Sequence, residues 1–159
     1  MHINGGMMGL FSKNKHEKTQ MTHCEGLPLR KDCPLVLELD TDRNAVVITE
    51  FGKKQEILLP ISKITRTGIL HIDTMKSGNM IGRAIVGGVL FGGAGAIIGA
   101  MSAQEKKKVK HLYSINYLSD GEEKAIVMKS AGAINEMKFR RMLDDLLPKE
   151  GKSEGPITL

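Results

Sequence analysis

The groups able to do chemistry in this sequence are scattered. Carboxylates at Asp40, Asp42, Glu50 and Asp73 flank turn-like stretches, where acidic side chains ordinarily sit solvated. Cys24 and Cys33 are the two cysteines, with no CxxC pair, and His2, His16, His23, His71 and His111 fall at no metal-ligand spacing. No Ser/His/Asp order, P-loop or HExxH pattern is present. The glycines do not form a phosphate cradle either. Their run contains no GK[ST] and no dinucleotide fingerprint with an acidic partner. The expectation is a protein without catalysis, metal, cofactor or evident small-molecule substrate.

Attention therefore passes to surfaces. A net charge of +5 suits an acidic partner, such as an anionic membrane or a nucleic acid. Aromatics make up only 4% of the chain and tryptophan is absent, which disfavours base stacking and hence nucleic-acid binding. Two unpaired thiols fit a reducing compartment. Met1 to Gln20 has no apolar core long enough for a signal peptide.

The most unusual stretch runs from Ala84 to Ala103 (AIVGGVLFGGAGAIIGAMSA): it has no charge and six glycines. Ala84, Gly88, Gly92, Gly95, Gly99 and Ala103 recur at steps of three or four. On a helix this spacing gathers them within about 100° of one face, the outline of a glycine zipper. Leu90, Phe91, Ile97 and Ile98 then point toward lipid or a partner. Arg83 on one side and Lys106, Lys107, Lys108 and Lys110 on the other form a cationic flank.

The remainder must position this stretch. Val36–Asp40, Ala45–Glu50, Gln55–Pro60, Ile64–Ile72, His111–Leu118 and Lys124–Met128 read as strands. Asp120-Gly121 is the strongest turn signal, and Leu27–Leu29 a candidate first edge strand shortened by Pro28. A closing helix is expected over Ala133–Leu147, with Phe139, Met142, Leu143 and Leu146 on its apolar face and Ile134 and Leu147 extending it. The organisation is then a basic tail over 1–21, a domain over 22–147 interrupted by a Gly-rich insert over 77–105, and a second tail over 148–159. The fold class is mainly β: a strongly bent antiparallel sheet or small barrel of six to seven strands, capped by a C-terminal helix.

This layout resembles the pleckstrin-homology-like fold, in particular bacterial PH and GRAM-like proteins. The resemblance rests on Glu25-Gly26-Leu27-Pro28, on Leu58 through Ile64, and on the insert from Gly82-Arg83-Ala84 through Gly99. Ile115-Asn116-Tyr117, the Asp120-Gly121 turn and the final helix complete it, covering about Met21 to Leu147. The chain is similar to Gram-positive bacterial and phage proteins that carry this same Gly-rich insert in such a domain. The resemblance implies a binding module without chemistry. Many PH domains bind phosphoinositides through basic residues after the first strand. Arg30 and Lys31 are the nearest match, but Asp32 follows them and the spaced Lys/Arg pattern is missing, so no inositide site is carried over.

If strands on both sides of the insert belong to one sheet, a single membrane pass would separate them. A helical hairpin turning at Gly92-Gly93-Ala94-Gly95 is therefore expected, with arms of roughly 15 Å that reach one leaflet only. The functional expectation is a module held at the cytoplasmic side of the membrane, peripheral or re-entrant, by the hairpin and its lysines. The alternative is a soluble or membrane homo-oligomer assembled through the zipper.

Overall fold

The computed structural model describes residues 16–72, 85–86 and 88–148. Among these residues nine strands and three α-helices, with one 3-10 turn, follow in order: β1 (His16–Glu25), β2 (Pro34–Asp40), β3 (Ala45–Glu50), β4 (Glu56–Pro60), the 3-10 turn (Ile61–Lys63), β5 (Ile64–His71), β6 (Ile85–Val86), β7 (Val89–Leu90), α1 (Ala94–Gly99), α2 (Ala103–Lys108), β8 (His111–Ser119), β9 (Glu122–Ser130) and α3 (Ile134–Leu146). Seven strands form one antiparallel sheet in the order β4-β3-β2-β1-β9-β8-β5, and β6 and β7 pair separately. The seven-stranded sheet is not closed: β4 and β5 are its two edges.

Strand alternation builds the main core. Leu35, Leu37 and Leu39 of β2, Val46 and Ile48 of β3, and Ile115, Ile126 and Met128 of β8 and β9 all point inward. Phe139 and Leu143 enter from α3, which lies mainly against β1, and Leu147 from its C-cap. This is the closing helix read from the 3.6-residue period, with two corrections. Ile134 and Leu146, assigned to its apolar face, are 76% and 46% exposed. The inward arc is narrower because Glu136 occupies a buried place near the helix start.

A second core covers the opposite face of the sheet. Cys24, Leu70, Ile72, Leu112 and Val127 meet Val89, Phe91, Ala94, Ile98 and Met101 of the insert. This explains why β8 is buried at every residue from His111 to Asn116. Tyr113 and Ile115 face the main core, while Leu112 faces the insert. A strand covered on both sides loses the polar half of its alternation.

Three expectations about the chain's course differ from the structure. His16–Met21, placed in a basic tail, belongs to β1, an interior strand between β2 and β9. Its inward positions Thr19, Met21 and His23 include only one strong hydrophobe, so period-two apolarity is faint there. Leu27–Leu29 is no strand; both leucines pack on the main core from the β1–β2 loop. The helical hairpin is also absent from the described residues. The insert instead contains the β6–β7 hairpin and two six-residue helices. Gly88 at φ +85° and Gly92 at φ +57° adopt left-handed backbone that no continuous α-helix accommodates.

Candidate functional site

The insert is fastened to its own sheet. Asn116 Nδ2 donates to Leu90 O at 3.0 Å, while Leu90 N donates to Asn116 Oδ1 at 2.8 Å, so one amide satisfies both backbone groups of Leu90. Ser114 Oγ donates to the same carbonyl. Further on, Gly93 N donates to Glu25 Oε1 at 2.9 Å. Gly92 is required beside this contact: a Cβ there would stand 2.4 Å from Glu25 Oε2. Lys129 of β9 donates to Glu105 of α2 and, at 2.6 Å, to Asp32 of the β1–β2 loop. Burial disfavours charge on Lys129, but the two carboxylates outweigh it and hold its pKa above the ordinary lysine value.

The candidate zipper residues therefore part company. Phe91 and Ile98, expected to seek lipid or a partner, are buried against the sheet at 0% and 7% exposure. Leu90, Gly92, Gly95 and Ile97 are half-buried, and Gly88 and Gly99 are exposed. The small residues do not share one helix face, because Gly88 and Gly92 precede α1 while Gly95 and Gly99 lie on it. Ala84 and Arg83 fall outside the described residues. Lys106, Lys107, Lys108 and Lys110 are exposed, as their run of charge led us to expect.

Those lysines join a larger basic surface. Strand pairing brings Glu50 of β3 against Leu35 of β2, Pro34 against Thr22 of β1, Thr22 against Lys129 of β9, and Ser130 against His111 of β8. The β3–β4 loop, the β1–β2 loop and the α2–β8 link thus share one end of the sheet. With the last turn of α2 they carry Lys53 and Lys54, Arg30 and Lys31, and Lys106 to Lys108 with Lys110, all exposed. A hollow lined by Pro28, Leu29, Lys53 and Lys54 joins the first two loops. A second hollow, of about 180 Å³, brings Lys31 beside α1 and Glu105. Glu50 pairs with Arg30 at 3.7 Å and Lys53 at 3.8 Å. The other six cations have no carboxylate partner among the described residues. The far end of the sheet carries exposed Asp42, Arg43 and Asp120 in its turns and exposed Glu122 at the start of β9.

Local chemistry fixes each basic loop. His23 Nε2 accepts from Leu27 N, so its proton resides on Nδ1, which donates to Arg30 O at 2.8 Å. Asp32 stands at φ +63° while donating its N–H to His23 O. Phe51 N donates to Pro34 O and Lys53 N to Glu50 O, closing a tight turn. Ser102 caps α2 by accepting from Glu105 N, and the lysines fill its last turn, where the helix dipole favours cations.

Two clusters, one buried and one largely exposed, have the residue types of active sites. In the first, His111 Nε2 lies 2.8 Å from Ser130 Oγ and 3.2 Å from Glu136 Oε2, and Ser130 Oγ donates to Glu136. A relay triad needs the carboxylate on the opposite ring nitrogen from the hydroxyl. Here both crowd the same nitrogen, and Ser130 is 1% exposed. Glu136 also accepts from Gly132 N, so the cluster ties the start of α3 to the sheet end. In the second, His16, Asp40 and Asp42 bring ligand-type atoms within 4.8 Å of one another. Asp40, however, already accepts from Arg43 Nε at 2.7 Å and from the Asp42 and Arg43 amides at 3.1 Å. Its carboxyl is held below the ordinary value by Arg43, and His16 is raised by Glu38 and Asp42. This is a turn lock whose acceptors are in use. Cys24 is a buried thiol, pushed up to about 12 by desolvation.

Sequence reasoning missed the basic end as a unit. Lys53 and Lys54 registered only as turn residues, and nothing in local pattern says that three separated loops converge. No curated protein matches the chain with significance. A family model for a glycine zipper containing PH domain matches residues 28–127, more than half of the 159 residues. Its span takes in β2 to β8 and the whole insert, and the open seven-stranded sheet with one C-terminal helix is the fold that the family implies. The chain belongs to the glycine zipper containing PH domain family.

Proposed function

We propose that this protein is a non-catalytic binding module that docks on an anionic membrane surface through the basic end of its sheet. The observation that carries the reading is the convergence of Arg30, Lys31, Lys53, Lys54, Lys106, Lys107, Lys108 and Lys110, from two loops and the end of α2 with its link to β8, at one end of the sheet. Six of them lack a carboxylate partner among the described residues. Each cation near an anionic leaflet contributes about 1 kcal/mol, so a cluster of this size supports reversible association. No helix among the described residues is long and apolar enough to cross a membrane. In this reading the docking is peripheral, with the insert held on the sheet by Phe91 and Ile98. PH-like domains are generally non-catalytic, in keeping with the structural use of Ser130, His111 and Glu136.

Self-assembly through the zipper has less to draw on. It would use the bulky face of the insert, yet Phe91 and Ile98 are buried within the monomer. Flotation of the full chain with phosphatidylserine–phosphatidylcholine vesicles, against pure phosphatidylcholine, tests the membrane reading. Binding to the anionic vesicles that weakens as salt rises supports it. Equal behaviour with both vesicles, or binding unchanged when Lys106, Lys107 and Lys108 become glutamate, refutes it.

A further inference from the structure

The basic end also carries the two most exposed bulky apolar side chains among the described residues. Phe51 is 59% exposed and Ile134 is 76% exposed. Phe51 stands at the tip of the β3–β4 loop, beside Gly52, around which a Cβ would meet nothing within 4 Å. Lys53 and Lys54 follow it. Ile134 is the first residue of α3, directly after the segment in which Gly132 lies against the stem of Lys110. Each apolar tip therefore has a lysine close by.

The sheet carries both to the same end. Phe51 N is bonded to Pro34 O of β2, Pro34 pairs with Thr22 of β1, and Thr22 with Lys129 of β9, whose chain leads into α3. Three strand-to-strand steps of about 4.8 Å put Phe51 roughly 14 Å from the end of β9 along the sheet, and Ile134 begins α3 four residues after β9 ends at Ser130. The β1–β2 loop, with Arg30 and Lys31, leaves the sheet from β1 between them. Two apolar tips with cations around and between them match a surface that is anionic at its headgroups and apolar just beneath. Lysine stems lie along such a boundary while aromatic and aliphatic side chains enter it.

We infer that Phe51 and Ile134 are twin anchors that enter the acyl boundary of an anionic leaflet and fix the domain's tilt on it; this rests on the membrane reading above. An acidic protein partner would meet the same charges but would not demand two apolar tips this exposed.

The test uses the full chain with phosphatidylserine–phosphatidylcholine vesicles. Phe51→Ser and Ile134→Ser each lower the partition coefficient about ten-fold, the loss expected for withdrawing one such side chain from an apolar phase, and leave its salt dependence unchanged. Because the chain has no tryptophan, Phe51→Trp and Ile134→Trp each provide a single reporter. Both should shift to the blue on binding. Salt-sensitive binding with unshifted tryptophans and unaffected serine variants would overturn the anchors while leaving the lysine contact in place. Failure of the unmodified chain to bind anionic vesicles at any ionic strength would overturn both readings together.

Discussion

Gly68 in β5 lies directly beneath Val89 of the insert: a Cβ on Gly68 would stand 2.7 Å from Val89 Cγ2 and 2.9 Å from Cγ1. The sheet is bare at this point so that a side chain of β7 can occupy the space. Gly68→Ala is therefore expected to wedge the insert outward, at a cost of about 1–3 kcal/mol. Amide exchange should show it: protection falls at Val89 and Leu90 before it falls in β2 and β3. Unchanged protection in β7 would mean that the contact is not a constraint.

Phe91 is the fully buried aromatic of the second core. Phe91→Ala should lower stability by about 3–5 kcal/mol, comparable to Phe139→Ala in the main core. Denaturant unfolding monitored by circular dichroism measures both. A loss under about 1 kcal/mol for Phe91 would show that the insert contributes little to the fold.

Glu136 sets an acid limit. Burial raises the carboxyl's pKa, but hydrogen bonds from His111 and Ser130, with Arg140 nearby, outweigh it and hold the pKa below the ordinary value. A carboxyl depressed in the folded state stabilises above its unfolded pKa, and this contribution disappears as pH falls through the folded value. Asp40 and Glu56, depressed by Arg43, act in the same direction. Asp144 opposes them, since burial raises it. Melting temperature should hold near neutrality and decline below about pH 4.5. Glu136→Gln should flatten that decline.

Cys24, at about 12, remains a thiol at any physiological pH, and Cys33 is also raised by desolvation. Neither should react with a maleimide or an aromatic disulfide reagent until the chain unfolds. Rapid labelling of Cys24 in the native protein would show that the insert opens, because Cys24 lies in the core beneath it.

The strands with marked alternation were legible. Val36–Asp40, Ala45–Glu50 and His111–Leu118 coincide closely with β2, β3 and β8. β1 escaped because Thr19 and His23 occupy inward positions that composition assigns to the surface. The insert was misread for a different reason. Small residues at steps of three and four suit a helix, but glycine at the same steps also suits turns, and periodicity alone cannot separate the two. What decides is tertiary: a sheet face bearing Leu112, Val127 and Leu70 needed a cover, and Phe91 and Ile98 supply it. The lysine run was legible as exposed charge. Its union with Arg30, Lys31, Lys53 and Lys54 depends on strand pairing, which local sequence does not encode. Ile134 was assigned inward by helical period, and the structure turns it outward beside the basic loops.

Hydrogen–deuterium exchange of the full chain, free and bound to phosphatidylserine–phosphatidylcholine vesicles, tests most directly whether the loops meet the membrane while the insert stays on its sheet. The expected result is new protection at residues 51–54 and 106–110, with Val89 to Gly99 unchanged. New protection or release across Val89 to Gly99, with residues 51–54 and 106–110 unaffected, would contradict it and return the glycine-rich stretch to the lipid.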